Sequence, residues 1–365
     1  MPAFSGQLNP NEIFSANFNM IISQQVNAKN IKEGYSSLVN KARVDGGLYG
    51  DTKLYYDTDV LKSHPWGGDT EAANLLALDR PADPECQAIS LNVFRQIRVT
   101  VDYYLSKRAW KDEGAFAQFT SVTLGWLRET KKVYDQTTYN TFIGTNKSSV
   151  QADVAVDLSS ITAAVSTADE ESMARLRAQK IGKGIADLMV AMKDVSRDFN
   201  DYGHLKSYDE DEIIIIFNSE YVNEITYLDL PTIFHKEGIV KKISQEMLPS
   251  RYFGTPLAAA SKTVGATDDV RAMFEQDVTV GGVTTHLFAG DKFPVGAVVA
   301  AGDGYEVDPK IIAKVVTELP PYMSAFEVGT SFFNPRSLTE NHYLTFGHNS
   351  LEHLYAHPFI TIVEQ

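Results

Sequence analysis

Four histidines lie close together near the end of the chain, His342, His348, His353 and His357. Clustered imidazoles can hold a metal ion when their rings converge on one point. The spacings here are six, five and four, and no pair sits in a helical HxxxH frame beside a glutamate base. The set reads as loop-borne and partly exposed. The single cysteine, Cys86, lies in "PECQAI", with no helix start to lower its pKa, so a thiolate nucleophile is not expected there. "AGDGYEVDPK" gathers Asp303, Glu306 and Asp308 but lacks the alternating oxygen ligands and terminal glutamate of a calcium loop. A turn followed by a helix cap accounts for it. "KIGKG", Lys180 to Gly184, has the composition of a phosphate loop, but it lies inside a helical period and outside the GxxxxGK-S/T frame. A GxSxG nucleophile elbow is absent as well. The sequence therefore assigns no catalytic, cofactor-binding or metal-ligating residue.

Composition narrows the classes further. The chain has 365 residues and is 44% hydrophobic, enough for a large core and two or three domains. Lys+Arg number 33 against 47 Asp+Glu, a net charge of −14. A nucleic-acid binder needs a basic surface to neutralise phosphates, and no Lys/Arg cluster of that kind is present. One cysteine forbids an intrachain disulfide and fits a reducing cytoplasm. "MPAFSGQLNPNE" has neither a basic nor an apolar signal region. No apolar run reaches the ~20 residues of a membrane helix.

The elements that would carry any function are unusually extended. Ile13, Phe14, Phe18, Ile21 and Ile22 follow a helical period after Asn11 and predict an amphipathic N-terminal arm. Thr52, Leu54, Tyr56, Thr58 and Val60 alternate with Lys53, Tyr55, Asp57 and Asp59, a strand of period two. Val93, Ile97, Val99, Val101 and Tyr103 alternate with Phe94, Gln96, Arg98, Thr100 and Asp102 in a second strand. The two predict a long hairpin with an irregular tip, which must lie on something because lone two-stranded ribbons are marginal. A long helix follows, from Asp112 as N-cap to about Ile143. Phe116, Phe119, Thr123, Trp126, Thr130, Val133 and Thr137 form its stripe, widened by Leu127 and Tyr134. A turn and short strand come next. Then Ile181, Ile185, Leu188, Met192, Val195 and Phe199 mark a second helix ending at Gly203.

"DEDEIIIIF", Asp209 to Phe217, puts five consecutive apolar residues after four acids. The run is too short for a helix, so it predicts a central strand covered on both faces. The preceding helix would cover one face. A short helix after Asn218, bearing Tyr221, Ile225 and Leu228, would cover the other. Burial of each Ile is worth roughly 1.5–3 kcal/mol, and the acids guard the exposed run against aggregation. "DVTVGGVTTHLF" predicts a hairpin on Gly281-Gly282. "DPKIIAKVV" predicts a short helix capped by Asp308 with Pro309 first. The chain ends in alternating strands.

An α/β core with an arm, a ribbon and an over-long helix suits a protein that tiles a surface better than a self-contained enzyme. This order of elements resembles the tailed-phage major capsid proteins with the Hong Kong 97-type fold. The aromatic-rich helix after Trp110 and the late "NPRS", Asn334 to Ser337, are similar to the major head proteins of phi-twenty-nine-like podoviruses. Ser337 departs from the glycine expected in that turn. The resemblance implies an α+β fold with an N-terminal arm (1–44), an E-loop hairpin (45–108), a peripheral domain carrying a spine helix (109–168 and 319–365) and an axial domain (169–318). It implies self-assembly in hexamers and pentamers into an icosahedral shell around double-stranded DNA, with no sequence-specific DNA binding, no membrane and no cofactor. A separate scaffolding protein, a portal and accessory head proteins are the implied partners. Assembly in the host bacterial cytoplasm and residence in the virion follow.

Expected inter-subunit contacts are Phe14, Phe18, Ile21, Tyr56 and Trp66. Some members of the family crosslink an E-loop lysine to a neighbour's asparagine, for which Lys53 or Lys62 and Asn341 have the right element types. Two other readings stay open: an encapsulin-like compartment that encloses protein, and a soluble α/β enzyme.

Overall fold

The computed structural model describes residues 37–47, 50–64, 78, 80–101, 113–159, 170–221, 244–258 and 261–365. In chain order these form α1 (Ser37–Lys41), β1 (Arg43–Asp45), β2 (Thr52–Asp57), β3 (Glu85–Val101), α2 (Glu113–Thr145), β4 (Val154–Val156), α3 (Glu170–Lys193), β5 (Ile214–Asn218) and β6 (Ser244–Leu248). Short strands follow: β7 (Gly254–Pro256), β8 (Lys262–Thr263), β9 (Val270–Ala272), β10 (Gln276–Val280), β11 (Val283–Leu287), β12 (Val298–Val299) and β13 (Gly304–Val307). The chain closes with β14 (Ile311–Val316), β15 (Tyr322–Asn334), β16 (Thr339–Asn349) and β17 (Phe359–Glu364).

The isoleucine run forms β5, an inner strand of one five-stranded sheet in the order β4-β17-β14-β5-β6. Ile213, Ile215 and Phe217 pack with Ile181, Ile185, Leu188 and Met192 of α3 on one face. Ile216, with the half-buried Ile214, packs with Tyr139 and Ile143 of α2 on the other. A strand apolar on both sides is thus covered twice, as its composition demands. The long helix supplies the second cover. Tyr221 joins the α3 face, and Ile225 and Leu228 lie outside the described residues.

Two further expectations are corrected. Ile311–Val316, read as a helix on its Asp308-Pro309 start, is strand β14, buried throughout between β5 and β17. Its β-branched residues face both layers, as in the isoleucine run, and that outweighs the cap signature. Helix α3 ends at Lys193, short of Gly203. Gly203 does take a positive φ of 68°, but in a turn closed on the carbonyl of Asn200.

The second sheet runs β1-β15-β16-β3-β2. Strand β3 belongs to two structures. Glu85–Ser90 pairs with β2 as a ribbon, and the rest pairs with β16 after a bulge near Asn92. The predicted alternation holds: Ile97, Val99 and Val101 turn inward, while Gln96, Arg98 and Thr100 are exposed. The two predicted runs do not pair with each other as one long hairpin, however: β2 ends at Asp57 and takes Glu85–Ser90 as its partner, while Val93–Val101 pairs with β16. The predicted hairpin on Gly281-Gly282 is also present, joining β10 to β11 with both glycines at positive φ. It belongs to a small unit around Val264, Val270, Leu287, Phe293 and Val299.

Helix α2 has 33 residues, so it is roughly 50 Å long. It crosses both sheets. Leu127 packs on Leu344, Ile97 and Val99, and Tyr134 meets Phe346 edge-on, while Tyr139 and Ile143 reach the central sheet. The buried stripe runs through Leu127, Lys131, Tyr134, Asp135 and Tyr139, not through Trp126 and Val133, which are exposed. At its end Gly144 lies against backbone: an added Cβ would stand 2.1 Å from the carbonyl oxygen of Tyr252. Gly144→Ala is expected to force the helix off this contact and lower stability by about 1–3 kcal/mol, read as a drop in urea midpoint.

Candidate assembly surface

The ribbon of β2 and β3 has two unlike faces. Leu54 stands opposite Ala88, and Tyr56 opposite Cys86, in register. All four point to solvent, with Leu54 52% and Tyr56 64% exposed. Beyond β2 the apolar residues continue outward with Val60 and Leu61. The opposite face, with Gln87 and Ile89, is buried against the body. Gln87 donates to the carbonyl of His353 and accepts from the backbone of Tyr355. Of the five expected contact residues, Tyr56 is exposed on this outer face. Phe14, Phe18, Ile21 and Trp66 lie outside the described residues.

Carboxylates fasten the far end of β2. Asp57 bonds His204 and Lys206, each at 2.8 Å, and Asp59 takes Arg197 at 2.8 Å and the backbone N–H of Leu205. Burial alone would raise the Asp57 pKa, but bonds from Lys206 and His204 bring it below the usual carboxylate range. The Leu205 N–H and Arg197 hold Asp59 down at about 2. Both carboxylates therefore stay charged in mild acid, and the attachment is lost only as the pH falls through these lowered values. The Asp57→Asn/Asp59→Asn double variant is expected to exchange the amide hydrogens of residues 52–60 several-fold faster, with the central sheet unchanged.

Other exposed apolar side chains lie along the long helix and the second sheet. Trp126 is 54% exposed, with Val133 two turns on along the same helix side. On the outer face of the sheet Phe332 is 61% exposed, beside a polar ladder in which Gln96 bonds Thr345 and Thr100 bonds Asn341. Trp126 was hidden in the sequence because its spacing matched a buried stripe whose true phase is set by polar residues. The "NPRS" turn carries its left-handed residue at Leu338, φ 53°, and not at Ser337.

Polar residues inside the fold hold structure together. Asp135 accepts from Lys131 at 2.8 Å, Arg43 at 3.1 Å and the Tyr322 hydroxyl at 2.7 Å, and so ties α2 to β1 and β15. Two of the four histidines are corrected from loop to strand, while His353 and His357 lie in the loop before β17 and His357 is partly exposed. His342 and His348 lie on β16, and His342, His348 and His353 are buried. Burial drives the His342 pKa to about 4. His348 faces the carbonyl of Asn349 through Nδ1, so that nitrogen carries the proton and Nε2 accepts from the Tyr134 hydroxyl at 2.8 Å.

His353 bonds Asp201, which also accepts from Ser148 and Gln151, each link at 2.7 Å. Here the aspartate stands between histidine and serine. A nucleophilic triad needs the histidine in the middle, so this cluster clamps loops and does not activate Ser148. Among the described residues no group of His, Cys, Asp and Glu could hold a metal. Lys180–Gly184 lies within α3, where an added Cβ on Gly184 would meet Val156 at 2.8 Å; the glycine permits close helix–strand packing.

No family model matches the chain, and no curated protein matches it. Among solved structures, a chain in the capsid structure of Staphylococcus phage Andhra aligns with a TM-score of 0.57 at 12% identity, over 92% of this chain and 86% of that one. A chain in the structure of the head fiber and inner core protein gp22 of native bacteriophage P68 aligns with a TM-score of 0.53 at 10% identity, over 88% and 83%. At such identities the likeness is one of fold. The chain has the mixed α/β fold of the matched phage capsid chain.

Proposed function

We propose that this chain is the major capsid protein of a tailed phage, a shell subunit of the Hong Kong 97-type with no enzymatic role. The observation that carries the reading is the alignment over 92% of the chain with a phage capsid chain. The open apolar residues on the ribbon, long helix and second sheet support it, since a tiling subunit needs such surfaces to bury on its neighbours. On this reading 1–44 is the arm, 45–108 the E-loop, 109–168 with 319–365 the peripheral domain and 169–318 the axial domain. Copies assemble as hexamers and pentamers, with a separate scaffolding protein, a portal and accessory head proteins, around double-stranded DNA. The net charge of −14 suits an inner wall past which DNA slides. Assembly takes place in the host cytoplasm and the product is a virion component. Among the described residues no helix is long and apolar enough to cross a membrane.

Virions purified from producing cells should contain this chain as their most abundant protein, around nuclease-protected DNA. Absence of the chain from virions would overturn the reading, and shells enclosing only protein would replace it with a cargo compartment. Removing the residues before Gly34 should abolish shells and leave a folded core. A crosslink from Lys53 or Lys62 to Asn341 would appear as ladders on a denaturing gel, whereas monomer bands alone would exclude it.

A further inference from the structure

The β10–β11 hairpin meets the second sheet at one charged junction. Asp277 and His286 are cross-strand partners, and His286 Nδ1 lies 2.7 Å from the Asp277 carboxylate. The other ring nitrogen, Nε2, lies 3.0 Å from Glu275, just ahead of β10. Glu275 in turn stands 3.8 Å from Arg95 of β3, whose guanidinium lies over the ring of Tyr134 on α2, 5.6 Å from its centroid. A ring bonded to carboxylates through both nitrogens must carry both protons to donate twice. We propose that His286 is a protonation-controlled clamp: with two protons it bridges Asp277 and Glu275 and holds the β10–β11 hairpin against Arg95 of the second sheet. This holds whatever the chain's function.

Charge arithmetic gives the direction. The groups facing His286 are Asp277 on β10 and Glu275 before it; Glu275 in turn faces Arg95 from β3, with Tyr134 beneath Arg95. The protonated junction balances two cations against two carboxylates. Without the proton the ring can donate to only one of the two carboxylates, and Arg95 stands against Glu275 alone. The bond to Asp277, with Glu275 nearby, raises the His286 pKa above its ordinary 6.5. A raised value means the clamp is closed below that ordinary value and opens as the pH climbs through the raised one.

Hydrogen exchange of the full chain, corrected for the intrinsic effect of pH, tests this at residues 276–287. Protection should fall by about two- to five-fold between pH 6 and pH 8.5, the range expected for partly exposed ion pairs. His286→Gln should sit at the low-protection level throughout, and His286→Lys, charged across the range, should remove the pH dependence. A wild-type profile without a pH step, or a step of full size retained in His286→Gln, would overturn the clamp.

Discussion

Asp135→Ala is expected to lower the stability of the subunit by about 3–5 kcal/mol, the usual loss when one member of a buried ion pair is removed. Asp135 is 2% exposed, and three donors from three elements converge on it. Without it the buried Lys131 ammonium, 5.2 Å from the Phe346 ring centroid, loses its carboxylate, and the buried Tyr322 hydroxyl loses its acceptor. Among the described residues the long helix would still meet the second sheet through Leu127, the Tyr134 contacts and the Tyr139–Tyr322 ring pair. Asp135→Asn keeps an acceptor but drops the charge, so a smaller loss is expected. Urea unfolding of the unassembled chain measures both. A loss for Asp135→Ala no larger than that of an exposed pair would show that the hub does not fasten the helix.

The second large effect is a pH slope. Lys314 is fully enclosed in β14, where it donates to the carbonyl of Asn146 just past the end of α2 and to Thr361. The amine thus sits at the negative end of the long helix. Burial, with Lys147 nearby and only partly offset by Asp153, drives its pKa from 10.5 to about 7. Between those values the unfolded chain binds a proton that the folded chain does not. Stability should therefore rise as the pH climbs through this window, by at most about 1.4 kcal/mol per pH unit. Lys314→Met is expected to flatten that rise. Denaturation midpoints at pH 7, 8.5 and 10 in both proteins test it, and equal slopes would contradict the assignment.

These two residues also explain where sequence reasoning stopped. Local signals hold: the alternations at Thr52 and Val93, the Gly281-Gly282 turn and the isoleucine strand are present, although the first two pair with other strands and not with each other. Each depends on neighbours close in sequence or on burial from both sides. Lys131 and Asp135 look like surface charges, so the long helix was phased on Trp126 and Val133. Their partners Arg43 and Tyr322 are distant in sequence and visible only once folded. Ile311–Val316 reads as a helix from its Asp308-Pro309 start, since nothing local shows that the Lys314 amine is taken up at the end of α2. His342 and His348 read as loop residues, although they stand on the inward-facing side of β16, where His348 meets Tyr134 of the long helix. The ribbon's outward apolar face was half legible, since Leu54 and Tyr56 share one side, but nothing local says which side the body covers.

Electron micrographs of the chain purified from producing cells, where its assembly partners are present, test the central claim, that its outward apolar surfaces close on other copies. The account predicts large closed shells of many subunits. Single-chain particles at every concentration and ionic strength, with the ribbon's outer face buried against its own body, would contradict it.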